Sequence, residues 1–230
     1  MSKEQVIESI LRDGVRKIIL SRPKKKNAFN KHMYQKLTQI LKEDSQNDNV
    51  VLTIITGADD VQKLIEALIE YPKVIIAVLN GPAIGIAATT TALCDIVYAS
   101  DRAYLDTPFV HLCLCAEGTS SYMFPRILGR SKASEAIFLG KKITSQDAYR
   151  LGFISEVIPH EQLPAFIESL YQYGSLSTNS IKISKRLVME HLKKQLFRAS
   201  ELEIEGLNEC MNSEKFTSAL MKFMEKKSKL

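Results

Sequence analysis

The first third of the chain alternates short apolar runs with apolar residues at helical spacing. Runs rich in β-branched residues at 15–20, 50–55 and 74–79 predict strands. The segments between these runs carry apolar residues three and four positions apart, which is typical of amphipathic helices: Met33, Leu37, Ile40 and Leu41 in the first, and Val61, Leu64, Ile65 and Leu68 in the second. This order predicts βαβ units that form a parallel sheet with right-handed crossovers.

The features that bear on chemistry lie between residues 72 and 125. A turn at Asn80-Gly81-Pro82 breaks the third strand, and Gly85 then opens a run of small and β-branched residues. Glycine lets the backbone approach a ligand closely, and a helix that begins at Gly85 would direct free N–H groups at an anion. A strand is predicted at 96–99, and a carboxylate, Glu117, follows in a largely apolar stretch. This combination suits chemistry on an oxyanion without specifying the reaction.

The rest of the chain is predicted to be mainly helical. Ser131 is expected to cap a helix that ends at Gly140, and a capping box at 144–147 begins a helix that closes at Gly152. A short strand is expected at 153–158. Further helices are expected at about 161–173, 179–196, 198–211 and 214–227.

Composition narrows the class of protein. A chain of 230 residues can bury a full core as one domain. It has no apolar run of the ~18 residues that a membrane span needs, and its charged beginning lacks the apolar core of a secretory signal. The net charge of +5 is only mildly basic. The cysteines form no CxxC pair, which predicts reduced thiols in an intracellular protein: Cys94, Cys113, Cys115 and Cys210.

Several longer stretches resemble a known family. They are RPKKKNAFN, IAVLNGPAIG, CDIVYASDRAYLDTPF, HLCLCAEGTSSYMFP and GKKITSQDAYRLGFISEVIP. The third of these stretches is interpreted as a hairpin. With them the chain resembles the crotonase, or enoyl-CoA hydratase/isomerase, superfamily, and within it the peroxisomal Δ3,Δ2-enoyl-CoA isomerases. The resemblance implies an α/β fold: a crotonase-type spiral of ββα units with two roughly perpendicular sheets and a C-terminal helical trimerisation region. It implies a single domain over 1–230, with the spiral core at 1–160 and the helical region at 161–230.

The resemblance also implies a site for an acyl-CoA. Gly85 and Ile86 would hold the thioester oxygen, with the backbone N–H of Ile86 as one of two donors. Glu117 falls where these isomerases carry their single catalytic glutamate, which would move a proton from C2 to C4 of a 3-enoyl-CoA. Enoyl-CoA hydratases use two glutamates to position a water, and this chain has Thr89 and Phe109 at those positions.

Binding and localisation are implied in the same way. Lys24, Lys25 and Lys26 would contact the CoA phosphates, and Phe223 and Lys226 would close over the nucleotide. Ser228, Lys229 and Leu230 form a tripeptide that addresses proteins to the peroxisomal matrix through the import receptor. The family resemblance further implies a homotrimer, no metal or redox cofactor, with CoA arriving as part of the substrate, and no nucleic-acid partner.

The chain departs from the family pattern at one place. The family has a longer segment after Thr56-Gly57, with an S-S-G-x-D-like motif that supplies the other oxyanion donor, whereas here Gly57 runs directly into Ala58. Three functions therefore stay open. The protein is an isomerase of unsaturated fatty acyl-CoA in β-oxidation, an impaired or inactive isoform that lacks the first oxyanion loop, or an enzyme of another acyl-CoA reaction such as thioester hydrolysis.

Overall fold

A computed structural model describes residues 7–20, 31–56, 61–216 and 218. The strands are β1 (Ile7–Arg12), β2 (Val15–Leu20), β3 (Leu52–Thr56), β4 (Val74–Leu79), β5 (Ala83–Ile84), β6 (Ile96–Ser100), β7 (Tyr104–Asp106), β8 (Ile143–Thr144) and β9 (Glu156–Ile158). The α-helices are α1 (Lys31–Ser45), α2 (Val61–Glu70), α3 (Ile86–Thr91), α4 (Ser120–Leu128), α5 (Arg130–Leu139), α6 (Ser145–Arg150), α7 (Leu163–Ser169), α8 (Thr178–Glu190) and α9 (Lys193–Met211). Short 3₁₀ helices lie at Phe109–Leu112, His160–Gln162 and Leu170–Ser175.

Six strands form the larger sheet, in the order β1-β2-β3-β4-β6-β9. All neighbours after the initial hairpin are parallel, which confirms the predicted βαβ array. Residues of β4 face the core on both sides of the sheet, since Ile75 and Val78 belong to different apolar clusters and both are buried. The prediction omitted β1. Its side chains beyond Ile7 are exposed, so it shows no apolar periodicity, although the turn at Asp13-Gly14 is a strong hairpin signal.

Three short strands form the second sheet, in the order β5-β7-β8. The interpretation of residues 94–109 as a hairpin was therefore wrong, because β6 and β7 lie in different sheets. β6 is paired on one edge with β4 and on the other with β9, so it has no free edge to offer β7. β7 instead pairs with β5 in parallel and with β8 in antiparallel orientation.

The helices pack as their apolar spacing predicts, with some corrected boundaries. The apolar faces of α1 and α2 are buried. Ser131 does not cap α5, because Gly129 ends α4 and begins α5 at a single sharp turn. The predicted break between 196 and 198 is wrong: the chain breaks at His191-Leu192, and α9 runs through 197 as one helix. The strand predicted at 153–158 is shorter in the structure and consists of β9 alone. The helical part of the chain begins before Pro125, because α4 contains this proline.

Two buried lysines fasten the helices to the start of β4. Lys73 Nζ donates to the carbonyl oxygens of Asp44 and Asn47 at 2.6 and 2.5 Å. Lys185 Nζ, from α8, donates to the carbonyl oxygen of Lys73 and to Asp95 Oδ2, both at 2.7 Å. Asp95 Oδ2 also accepts the N–H of Ile75. Each ammonium is thus compensated by oxygens, as burial of a charge requires.

None of the helices in the described part of the chain has the length and apolarity needed to cross a bilayer.

Candidate active site

The first half of the candidate site is the start of α3. Gly85 has φ 61° and ψ −128°, a conformation that glycine adopts without strain, and its N–H donates to the carbonyl oxygen of Asp106 in β7 at 2.8 Å. Its own carbonyl accepts the N–H groups of Ala88 and Thr89, which begins the helix. Within the described part of the chain, the N–H groups of Ile86 and Ala87 have no acceptor. They are the donors that a helix start leaves for a ligand.

The second half is a tight turn that carries Glu117. The side chain of Glu117 is half-buried, and its carbonyl oxygen accepts the N–H and the hydroxyl of Ser120 at 3.2 and 2.7 Å. The next two residues, Gly118 and Thr119, both have left-handed backbones, with φ 67° and 63°. The turn reverses the chain directly into α4, so the position of Glu117 is set by backbone geometry.

The two halves touch through Gly118. A Cβ atom placed on Gly118 would lie 2.2 Å from Thr89 Oγ1 and 3.0 Å from Ile86 Cδ1, so only a glycine fits against the first turn of α3. The structure therefore places Gly118, the residue that follows Glu117, against Ile86 at the helix start that the sequence singled out, although the two segments are separate along the chain.

The positions of the hydratase glutamates are filled by uncharged, buried side chains. Thr89 is fully buried, and its hydroxyl donates to the carbonyl oxygen of Ile86 at 3.1 Å. Phe109 is also buried. Neither position offers a carboxylate that could hold a water.

A buried carboxylate that the sequence did not reveal holds the Glu117 turn. Glu203 lies on α9, with 6% of its surface exposed. Its Oε2 accepts the N–H of Thr119 at 2.7 Å, and its Oε1 accepts the N–H of Ser121 at 2.8 Å. Burial raises the pKa of Glu203 above its usual 4.5, against the opposing effect of hydrogen bonds from the Ser121 side chain and from the N–H groups of Ser121 and Thr119. The sequence does contain one indication that Glu203 is buried. It lies at helical spacing from Leu196, Ala199 and Ser200, the other buried residues of α9.

Some predicted contacts fall outside the described residues. These are the proposed CoA contacts at Lys24, Lys25, Lys26, Phe223 and Lys226, the terminal Ser228, Lys229 and Leu230, and the junction between Gly57 and Ala58. Among the residues that are described, no group of three or more His, Cys, Asp or Glu side chains could hold a metal ion.

A cavity of about 400 Å³ lies away from this site. Its lining includes Tyr71 and Pro72 before β4, and Lys182 and Arg186 on α8. Because Gly85 follows the other end of β4, this cavity is not part of the candidate active site.

Comparison with protein families matches residues 58–229 to enoyl-CoA hydratase/isomerase. The chain belongs to this family. Members of the enoyl-CoA hydratase/isomerase family are also its structural neighbours: the crystal structure of an enoyl-CoA hydratase/isomerase from Pseudoalteromonas atlantica superposes with a TM-score of 0.90 at 27% identity, over 96% of this chain and 98% of that one. The predicted crotonase fold, an α/β spiral with a helical C-terminal region, is thereby confirmed.

Two relatives of the chain are enoyl-CoA delta isomerases. The chain is 36% identical to mouse "Enoyl-CoA delta isomerase 3, peroxisomal", over 99% of this chain and 80% of the mouse protein. It is also 36% identical to rat "Enoyl-CoA delta isomerase 2", over 94% of this chain but only 63% of the rat protein. The chain thus resembles enoyl-CoA isomerases over nearly its whole length while spanning less than two thirds of the rat relative.

The length of the mouse alignment bears on the segment after Gly57. That alignment covers 257 positions, whereas this chain has 230 residues, so the mouse protein contains residues with no counterpart here. The family match begins at residue 58. Both findings fit a shortening of the chain at the point where the sequence departs from the family pattern.

Proposed function

We propose that the protein converts 3-enoyl-CoA to trans-2-enoyl-CoA, as an isomerase in the β-oxidation of unsaturated fatty acids. The observation that carries this proposal is the contact of Gly118 with Ile86 and Thr89, which sets the Glu117 turn against the start of α3. One carboxylate beside unpaired backbone donors, with no second carboxylate at positions 89 and 109, suits proton transfer rather than the addition of water.

The thioester oxygen would accept the N–H of Ile86. As Glu117 removes a proton from C2, negative charge moves to this oxygen, and the donor stabilises the resulting dienolate. The double bond shifts from C3–C4 to C2–C3 when the same carboxyl returns the proton to C4. Glu117 ends each turnover ionised, so no net proton is gained or lost, and no metal or redox cofactor takes part.

The proposal extends to the place and assembly of the enzyme. Ser228, Lys229 and Leu230 match a peroxisomal address, and the name of the mouse relative includes the word peroxisomal. We propose a location in the peroxisomal matrix, reached through the import receptor. Large apolar side chains are exposed on α5 and α6, namely Phe138, Leu139 and Tyr149, which supports assembly into the homotrimer implied by the family resemblance.

The central test is Glu117→Gln, which keeps size and removes the base. We expect kcat for a 3-enoyl-CoA to fall ~10²-fold or more, with little change in KM, because CoA is held elsewhere. Glu201→Gln is the matched control, since Glu201 is an exposed glutamate on α9. A Glu117→Gln enzyme with unaltered turnover would refute the catalytic assignment.

A second function, an impaired isoform, is favoured by the length difference from the mouse relative. One oxyanion donor is worth ~10²–10³ in rate, so loss of its loop would leave the protein slow. The comparison is two by two: with or without the family segment inserted after Gly57, and with Glu or Gln at 117. If the insertion greatly raises kcat only when Glu117 is present, the natural chain is the impaired form. If the insertion changes nothing while Glu117→Gln abolishes turnover, the natural chain is a complete isomerase.

A further inference from the structure

The turn that carries Glu117 lacks the internal support that helix starts usually have. Thr119 is the N-cap of α4, yet its hydroxyl caps no N–H, and Thr119 Oγ1 is buried without a hydrogen-bond partner among the described residues. A threonine at this position normally accepts an N–H of the first turn. Here the left-handed backbone of Thr119, φ 63°, turns the side chain away from that task.

The missing cap is supplied from a distant helix. Glu203 is 84 residues from Thr119 and 82 from Ser121, and each of its carboxylate oxygens accepts one of their N–H groups. The two bonds straddle Ser120, whose hydroxyl and N–H in turn bond the carbonyl oxygen of Glu117. Glu203 on α9 therefore holds the two residues that flank Ser120, and Ser120 itself is bonded to the backbone of Glu117.

We propose that Glu203 is a positioning residue that holds the Glu117 turn in the orientation needed for proton transfer. The inference rests on the proposed isomerase function. The carboxylate of Glu203 bonds the turn, through the N–H groups of Thr119 and Ser121 and through the Ser121 side chain, so its effect on the reaction passes through Glu117. Two left-handed residues in succession are unfavourable for a chain that includes Thr119, and the paired acceptors of Glu203 offset that tendency.

A helix cap that only stabilises the fold would behave differently. It would lower the melting temperature when removed, yet leave turnover of the remaining folded enzyme unchanged. A positioning residue lowers kcat at temperatures where the enzyme is fully folded, because misplacement by ~1 Å can cost ~10²-fold in rate. KM should stay nearly constant, since the Glu203 carboxylate is buried and bonded to the turn instead of being open to a ligand.

The experiment compares Glu203→Gln with Glu201→Gln. In Glu203→Gln one oxygen remains as an acceptor, while the new NH₂ group faces an N–H donor and cannot bond it. We expect kcat to fall ~10-fold or more in Glu203→Gln with KM within ~2-fold, and no change in Glu201→Gln. Both assays are made well below the melting temperature of each variant, checked by circular dichroism.

Amide hydrogen exchange gives a second readout that does not depend on activity. Exchange at Thr119 and Ser121 should accelerate ~10-fold or more in Glu203→Gln, while the N–H of Ala133, bonded to Gly129, keeps its rate. Faster exchange together with a lower kcat supports the proposal. Unchanged kcat in Glu203→Gln, in an enzyme that Glu117→Gln inactivates, would overturn it. If Glu117→Gln has no effect, the proposed isomerase function itself fails, whatever Glu203→Gln does.

Discussion

The two halves of the candidate site are held in place by different parts of the molecule. The start of α3 is fixed within the spiral core, where Gly85 bonds to Asp106 in the small sheet. The Glu117 turn is fixed from outside that core, by Glu203 on α9. The position of the first half is therefore set by the sheets, whereas the position of the second half depends on the packing of the C-terminal helices.

The two halves of the candidate site also differ in whether their functional groups belong to the backbone or to a side chain. At the start of α3 the useful groups are backbone N–H donors, which any residue except proline provides. In the turn, the useful group is one carboxylate, and its position depends on a glycine with no room for a methyl group. We therefore expect substitutions in the turn to affect turnover much more than substitutions at the start of α3.

Gly118→Ala should have the largest effect of the remaining tests. The new methyl group would lie 2.2 Å from Thr89 Oγ1, and alanine would also have to adopt φ 67°. Overpacking and the left-handed backbone together should lower the free energy of unfolding by about 3 kcal/mol, with a large loss of kcat. Urea denaturation and steady-state kinetics measure the two effects.

Gly152→Ala is the control for that variant, because Gly152 has φ 81° with open space around it. It should cost about 1 kcal/mol, for the backbone alone, and leave kcat unchanged. Equal losses of stability in the two variants would show that the contact between the turn and α3 is looser than described.

Ile86→Val tests the half that uses the backbone. Ile86 is buried, so removal of a methyl group should lower the free energy of unfolding by about 1 kcal/mol. Turnover should stay within ~2-fold, since the backbone N–H is retained, although valine lacks the Cδ1 atom that lies against Gly118. A fall in kcat of more than 10-fold would mean that the Ile86 side chain, and not only its N–H, shapes the site.

The smallest expected effect is the contribution of Glu203 to the pH dependence of the free energy of unfolding. Burial raises the pKa of Glu203 above 4.5, so the folded protein retains this proton to a higher pH than the unfolded chain. The stabilising contribution is complete below pH 4.5 and is lost as pH rises through the folded pKa. The stability of the natural protein relative to Glu203→Gln should therefore decrease from pH 4 to pH 7, as measured by urea denaturation. A difference that instead grows over this interval would mean that the two N–H donors outweigh burial.

The parts of the site that were predicted from sequence are those with a local signature. Gly85 follows a strand and a turn, and Glu117 is a charged residue in an apolar stretch. Each can therefore be recognised from the residues directly around it in the sequence. Glu203 is different, because its partners are more than eighty residues away. Nothing local in α9 indicates which loop its buried face meets.

The fold shows the same limit. Strand β2 has an alternating pattern and β3, β4 and β6 have largely apolar runs, so all four were predicted, whereas β5 and β8 have two residues each, too few for any periodicity. The hairpin interpretation failed because pairing depends on which strand edges remain free. Whether β6 keeps a free edge is decided by β9, which begins 56 positions after the end of β6.

In the larger sheet, the strands lie side by side in the same order as they occur along the chain. After the hairpin of β1 and β2, the strands β3, β4, β6 and β9 each join the edge left by the strand before, so none has to be inserted between paired neighbours. The helix that carries Glu203 emerges later still. We expect nascent chains of increasing length to gain protease resistance in the sheet before they turn over a 3-enoyl-CoA, and full turnover by a chain that stops before α9 would contradict this order. During synthesis, the protein would acquire its architecture first and its chemistry last.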